Sequence, residues 1–219
     1  MTTQPVRDLA SWRREYEDRG LAPEDLPADP IAAFVTWLEA ARVAGLHEPN
    51  AMVVSSAGSD GAPSSRMVLL KTVDARGFVF YTNLQSRKGT ELIARSACAL
   101  LFPWHPLERQ VRIEGTASVV SHEEADEYFA SRPRGSQLGA WASPQSSVVS
   151  SRDVLTASYA RVSDRFEGID EVPRPANWSG FLVRPHTMEF WQGRPGRMHD
   201  RVLFERLDET RWDTSRLAP

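Results

Sequence analysis

Residues 51–83, AMVVSSAGSDGAPSSRMVLLKTVDARGFVFYTN, decide the fold class. Three short runs rich in Val, Leu, Phe and Tyr (51–57, 65–73 and 77–83) are separated by the turn formers SDGAP (59–63) and DARG (74–77). Turns this short join neighbouring antiparallel strands, whereas a parallel pair needs a crossover of a dozen residues or more. The N-terminal side of this stretch reads as a helix. Asp29 followed by Pro30 is an N-cap with proline at the first helical position, and Ile31, Phe34, Val35 and Leu38 recur at helical spacing until Gly45. Residues 1–28 are polar, charged and proline-rich, which predicts a mobile N-terminal segment or lid ahead of a single domain at 29–219.

On the C-terminal side a short helix is expected from Ser86, then strands at 98–104 and 109–121. A second helix is announced by the capping box Ser121 to Glu124. The Gly/Ser/Pro-rich stretch 132–151 leads to a third helix near 151–167, and strand-like runs follow at 179–185, 187–193 and 197–207. Seven or eight strands and three or four helices, without regular strand–helix alternation, predict an α+β, mainly β architecture: an antiparallel barrel with peripheral helices. No G-x-G-x-x-G follows a strand, and no G-x-x-x-x-G-K-[ST], H-E-x-x-H or G-x-S-x-G occurs.

A hydrophobic share of 41% and 25% charged residues in 219 describe one globular domain able to bury a sizeable core. Lys+Arg at 26 against Asp+Glu at 29 leaves a net charge of −3, so nothing draws the whole chain to nucleic acid or an anionic membrane. Any anion must be held by a local cluster. A single cysteine, Cys98, excludes an internal disulfide and a Cys-based zinc site, and His47, His105, His122 and His186 lack ligand spacing, so no metal is expected. No apolar run approaches eighteen residues and the first twenty residues do not resemble a signal peptide, so a cytoplasmic protein without a membrane partner is expected.

Three local clusters could carry chemistry. Ser86, Arg87 and Lys88 sit between a strand and a helix start, where unpaired amides and the helix dipole favour a phosphate; a serine cap with two solvated cations is the plainer reading. In RMHDR (197–201), period two places Arg197, His199 and Arg201 on one strand face, where their mutual repulsion calls for a ligand or for a counter-charge such as Asp200 or Glu189. Trp191, six residues before Arg197, could wall a planar ring. Tyr128 and Arg132 share a helix face, with Arg134 and Ser136 in the following loop. Arg66 and Lys71 differ in parity, so a regular strand aims them at opposite faces.

Taken in order, SRMVLLK (65–71), FYTNLQSRKGTEL (80–92), LLFPWHPLERQVRIEG (100–115), YFASRPRGSQLGAWASPQSS (128–147), EFWQGRPGRMHDR (189–201) and the terminal RLAP closely resemble the pyridoxine/pyridoxamine 5'-phosphate oxidases, from about residue 12 to 219. That resemblance implies an FMN-binding split β-barrel, a homodimer with its active sites at the subunit interface, and oxidation of a vitamin B6 phosphate ester by dioxygen. It implies FMN contacts from Arg66, Met67, Val68, Leu69, Leu70, Lys71, Tyr81, Thr82, Arg87, Lys88 and Gln110, with Gln145, Ser146, Trp191 and Arg201 supplied by the partner subunit. By the same resemblance, Lys71, Tyr128, Arg132 and Ser136 hold the substrate phosphate, while Arg197, Met198 and His199 lie at the pyridine ring, with Arg197 and His199 catalytic. Arg13, Arg14, Glu15 and Tyr16 resemble a segment that folds over the site. Glu48 departs from the Asp of some relatives, and GLAPEDLPADP (20–30) is less basic than in some.

Overall fold

The structure, a computed structural model, describes residues 14–219. Nine strands and five α-helices are present among them. In chain order they are α1 (Pro30–Val43), β1 (Ala51–Ala57), β2 (Pro63–Leu69), β3 (Thr72–Asp74), β4 (Gly77–Asn83), α2 (Arg87–Ala94), β5 (Ala97–Trp104), β6 (Arg109–Val119), α3 (His122–Ser131), α4 (Arg134–Ala142), α5 (Arg152–Arg165), β7 (Trp178–Gln192), β8 (Asp200–Arg206) and β9 (Trp212–Arg216). All pairings are antiparallel, in the order β2-β1-β5-β6-β7-β4-β3, with β8 beside β7 and β9 beside β8.

The two ends of that order, β2 and β3, are one stretch of chain. It hands over from β1 to β4 at Leu70 and Lys71, whose consecutive amides donate to the Asn50 and Val79 carbonyls, each at 2.9 Å. The sheet therefore curls back on itself as a split barrel. Its interior is filled by the inward residues of alternating strands, among them Met52, Val54, Phe80, Phe102, Ile113 and Phe190, all fully buried. α1 plugs this core. The Asp29 carboxylate caps it by accepting from the Ile31 N–H at 3.0 Å, and Phe34 lies 4.9 Å from Phe78 and 4.7 Å from Phe102. Val35, expected on the buried stripe, is exposed; Trp37 and Ala41 take that face.

Four sequence expectations need correction. The runs 179–185 and 187–193 form the single strand β7, bent where the register shifts opposite Glu114 and Gly115. A side chain at Gly115 would meet the Arg184 carbonyl at 2.3 Å, so only glycine fits the bulge. Helix α4 forms within the glycine-rich stretch expected to be irregular, because it buries Gln137, Leu138 and Ala142. β9 was not anticipated at all. Finally, the strand expected from 197 starts only at Asp200: Pro195–Arg197 is a 3-10 turn in which Gly196 and Arg197 both have φ near 63°. Within the segment ahead of residue 29, Leu21 and Leu26 are buried in the main core.

Candidate active site

Helix α2 begins against the barrel. The Ser86 hydroxyl, wholly buried, accepts the Gly89 N–H at 3.3 Å and donates to the Asn83 carbonyl at 2.6 Å. Gly89 is required there, because a Cβ would lie 2.3 Å from the Leu84 carbonyl oxygen. This close approach buries Lys88, whose Nζ donates to Gln145 Oε1 at 3.0 Å and Thr82 Oγ1 at 3.1 Å. All its partners among the described residues are neutral. Burial, then the nearby charge of Arg66, lowers the ammonium pKa. A buried cation without a carboxylate suits an arriving anion.

The other two cations of this seat are tied to Glu91, a residue the sequence reading missed. Its buried carboxylate accepts from Ser56 (2.6 Å), Ser64 (2.5 Å), Arg87 (2.8 Å) and Arg66 (3.2 Å). Burial alone would raise its pKa, but these hydrogen bonds and the Arg66 charge outweigh it and hold the carboxyl at about 2. The i, i+4 spacing of Arg87 and Glu91 was the available signal. Arg66 thus turns toward α2, while Met67, Val68, Leu69 and Lys71 line a cleft, so Arg66 and Lys71, of opposite parity, serve different places.

That cleft, of about 560 Å³, also collects Tyr81, Thr82, Lys88, Tyr128, Arg132, Ser136 and Gln145. Tyr81, Tyr128 and Trp178 form a cluster of near-parallel rings, with centroids 3.9 Å apart for Tyr81–Tyr128, 5.5 Å for Tyr81–Trp178 and 6.1 Å for Tyr128–Trp178. Desolvation first, and then nearby acidic side chains, push the Tyr81 phenol up to about 12. The Arg132 guanidinium lies 4.6 Å from the Trp178 ring, and its Nη1 is buried with no hydrogen-bond partner among the described residues. A planar donor held over an aromatic ring with an open N–H is a carboxylate or phosphate receptor. Gln145, assigned by resemblance to the partner, lies in this chain's own cleft; Ser146 is exposed on the adjoining turn with φ 73°. Leu70 sends its side chain into the core and does not line the cleft.

A second group gathers at the other end of β7. Gln110, Trp191 and Arg201 stand opposite one another across β6, β7 and β8, forming one cross-strand row. Arg201 is held by Glu189 at 2.7 Å, the counter-charge anticipated as the plainer reading of RMHDR. The loss of strand at 197–199 removes the expected alternation, yet Arg197 and His199 still line one open pocket with Arg14, Glu15 and Tyr16. Trp191 lies 4.7 Å from the His199 ring and 6.0 Å from Tyr16. His199 Nδ1 accepts the Arg194 amide, and burial followed by the Arg197 charge lowers its pKa. Met198 is exposed, and Arg13 falls outside the described residues. Within one chain, then, the candidate residues form two separate constellations: Lys71, Lys88, Arg132 and Gln145 in one, Gln110, Trp191, Arg197, His199 and Arg201 in the other.

Comparison with known proteins bears on both. Residues 38–166 match the family described as pyridoxamine 5'-phosphate oxidase, and residues 178–219 match the pyridoxine 5'-phosphate oxidase C-terminal dimerisation region. The chain is 55% identical to a pyridoxine/pyridoxamine 5'-phosphate oxidase of a Nocardioides species over 97% of this chain and 98% of the relative. It is 56% identical to that of Rubrobacter xylanophilus over 97% of each. Among solved structures, PhzG from Burkholderia lata 383, in complex with tetrahydrophenazine-1-carboxylic acid, superposes with a TM-score of 0.85 at 34% identity, covering 92% of this chain and 99% of that one.

Proposed function

Because the chain belongs to the pyridoxamine 5'-phosphate oxidase family, we propose that it is an FMN-dependent oxidase converting pyridoxine 5'-phosphate or pyridoxamine 5'-phosphate to pyridoxal 5'-phosphate. Dioxygen takes the two electrons and leaves as hydrogen peroxide; the amine substrate also consumes water and releases ammonia. The observation that carries this reading is the Arg132 guanidinium, with a buried, unpartnered Nη1 in the same cleft as Lys71. It fits a substrate with a phosphoryl tail. Lys88 and the Arg66/Arg87/Glu91 cluster are a second seat: three cations against one carboxylate leave two positive charges for the phosphate of FMN.

When bound, FMN would supply the electron acceptor for a hydride equivalent from the substrate carbon that becomes the aldehyde. The protein's own task is alignment. Lys71, Tyr128, Arg132 and Ser136 would fix the substrate phosphate, and Lys88, Thr82 and Gln145 the cofactor end. Arg197 and His199 would orient the pyridine ring against the Trp191 wall. These two residues lie in a different pocket from Lys71 and Arg132, which supports a homodimer in which the second subunit brings its 191–201 segment to the first subunit's cleft.

The likeness to a phenazine-forming protein supports a second reading, an oxidase of unphosphorylated ring substrates. One experiment separates the two. Peroxide release in air is followed with pyridoxamine 5'-phosphate and with pyridoxamine; the ester should be strongly preferred, and equal turnover of both overturns the phosphate-ester reading.

A further inference from the structure

Asp200 follows His199 directly and opens β8. Its side chain, only 13% exposed, accepts the Leu21 N–H at 2.9 Å and Arg194 Nη1 at 3.1 Å, and also pairs with Arg216 of β9. Arg216 in turn donates to the Leu21 carbonyl at 3.0 Å. Leu21 is thus gripped at both its N–H and its C=O, with its side chain in the barrel core. Arg194 extends the grip to Asp18 at 2.5 Å, and its backbone N–H fixes His199 Nδ1 at 3.1 Å. Further along the same segment, the Glu17 N–H donates to the Glu108 carboxylate at 2.9 Å, and the Tyr16 ring lies 5.6 Å from that of His199. One carboxylate therefore joins four pieces of chain: the segment before α1, the 193–199 turn, β8 and the last strand.

Without that carboxylate, Arg194 and Arg216 would lose the group that both pair with, and the Leu21 amide would lose its acceptor. Burial opposes ionisation of Asp200, but the Leu21 amide and the two arginines outweigh it and hold the carboxyl below the usual range. We infer that Asp200 is a positioning residue: it latches residues 16–21 against the Trp191/His199 wall and so sets the affinity for the substrate ring. This assignment rests on the oxidase reading above for the identity of the ring, but not for the latch itself.

The test uses holoenzyme carrying D200N, which removes the charge at constant volume, and in parallel R216Q, which strikes the same clamp from β9. Trypsin cleavage after Arg19 should accelerate about tenfold in each. KM for the phosphate ester should rise about fivefold with kcat within about twofold of wild type and FMN content unchanged, because the segment covers the ring and does not carry the chemistry. An unchanged cleavage rate in a variant with wild-type circular dichroism overturns the latch. Faster cleavage with unaltered KM overturns its link to the substrate. If D200N does not fold, R216Q decides by the same two readouts. If the wild-type protein turns over no B6 phosphate ester, the oxidase reading fails, while the cleavage rates still judge the latch.

Discussion

The backbone N–H of Arg194 donates to Nδ1 of His199 at 3.1 Å, which assigns the proton of the neutral imidazole to Nε2. Burial and then Arg197 lower the pKa of this ring, so it is neutral across the physiological range and offers one N–H donor beside Trp191. Protonation at low pH would convert Nδ1 from acceptor to donor and break the bond to Arg194. The sign follows: a histidine with a folded pKa below its unfolded value loses its native contribution as pH falls, below about 6.5. We expect kcat/KM to drop on the acid side with a limb below that value, and H199N to abolish the limb while lowering the plateau. A wild-type profile flat down to pH 5 would contradict this role.

Arg132 makes the complementary prediction at the other end of the substrate. Its Nη1 has no partner among the described residues, so R132M removes a donor that serves binding and costs the fold little. A charge-assisted hydrogen bond contributes about 2–3 kcal/mol, which is about 30- to 150-fold in kcat/KM for the phosphorylated substrate. The unphosphorylated substrate should lose less than about threefold, with the melting temperature unchanged or slightly raised. Equal losses for both substrates would move Arg132 out of the phosphate site.

How much of this was legible beforehand differs by element. β1 and β4 appear where short apolar runs between turn residues put them; β1 buries every second residue, whereas β4 is buried almost throughout. Helix α4 was hidden: its Gly and Ser content argues for a loop, and the burial of Leu138 in one cluster with Phe166 and Trp178, together with that of Gln137 and Ala142, pays for helix formation. The 3-10 turn at 195–197 was signalled by Pro195 and Gly196, but the alternating pattern after it drew the strand too far back. Charge balance anticipated Glu189 as a partner for the 197–201 cations, and Arg201 pairs with it. The capture of Leu21 by Asp200, 179 positions away, does not follow from spacing.

Glu91 gives a stability prediction. Its carboxyl, held at about 2 against an unfolded value near 4.5, contributes stability that is full above that unfolded value and lost as pH falls from there toward 2. E91A leaves Arg66, Ser56 and Ser64 without their shared acceptor and should cost about 3 kcal/mol in urea unfolding at pH 7. The difference between wild type and variant should narrow in acid. FMN affinity should weaken in parallel, since Arg66 and Arg87 lose the group that orders them; riboflavin affinity should change less. A variant as stable as wild type at pH 7 would show that the cluster is dispensable.

The separation of Arg132 from Arg197 into two pockets permits a mixing experiment. If each site draws Arg132 from one subunit and Arg197 from the other, then R132M and R197M chains, each strongly impaired alone at subsaturating substrate, regain function when reassorted. Random exchange makes half the dimers mixed, and each mixed dimer has one intact site of two, so activity should recover to about a quarter of wild type. Recovery of none, from mixtures verified to contain mixed dimers, would place both arginines in one subunit's site.

Gly193 decides how closely Tyr16 approaches the Trp191/His199 wall. A Cβ at Gly193 would lie 2.8 Å from the Tyr16 ring and 3.1 Å from Glu108 Cβ, closer than carbon atoms pack. Gly193 itself donates its N–H to the Glu108 carbonyl at 2.7 Å and is buried, so the backbone is poorly placed to yield. The Tyr16 side chain is the softer partner. G193A should therefore displace residues 16–17, raising KM for the ring substrate about fivefold at constant FMN affinity, with a stability cost of about 1 kcal/mol from the residual crowding. Y16A removes the ring that would be struck, so in the double variant the added methyl should cost little further. If G193A and Y16A effects on KM simply multiply, the two residues act independently and the contact does not govern substrate affinity.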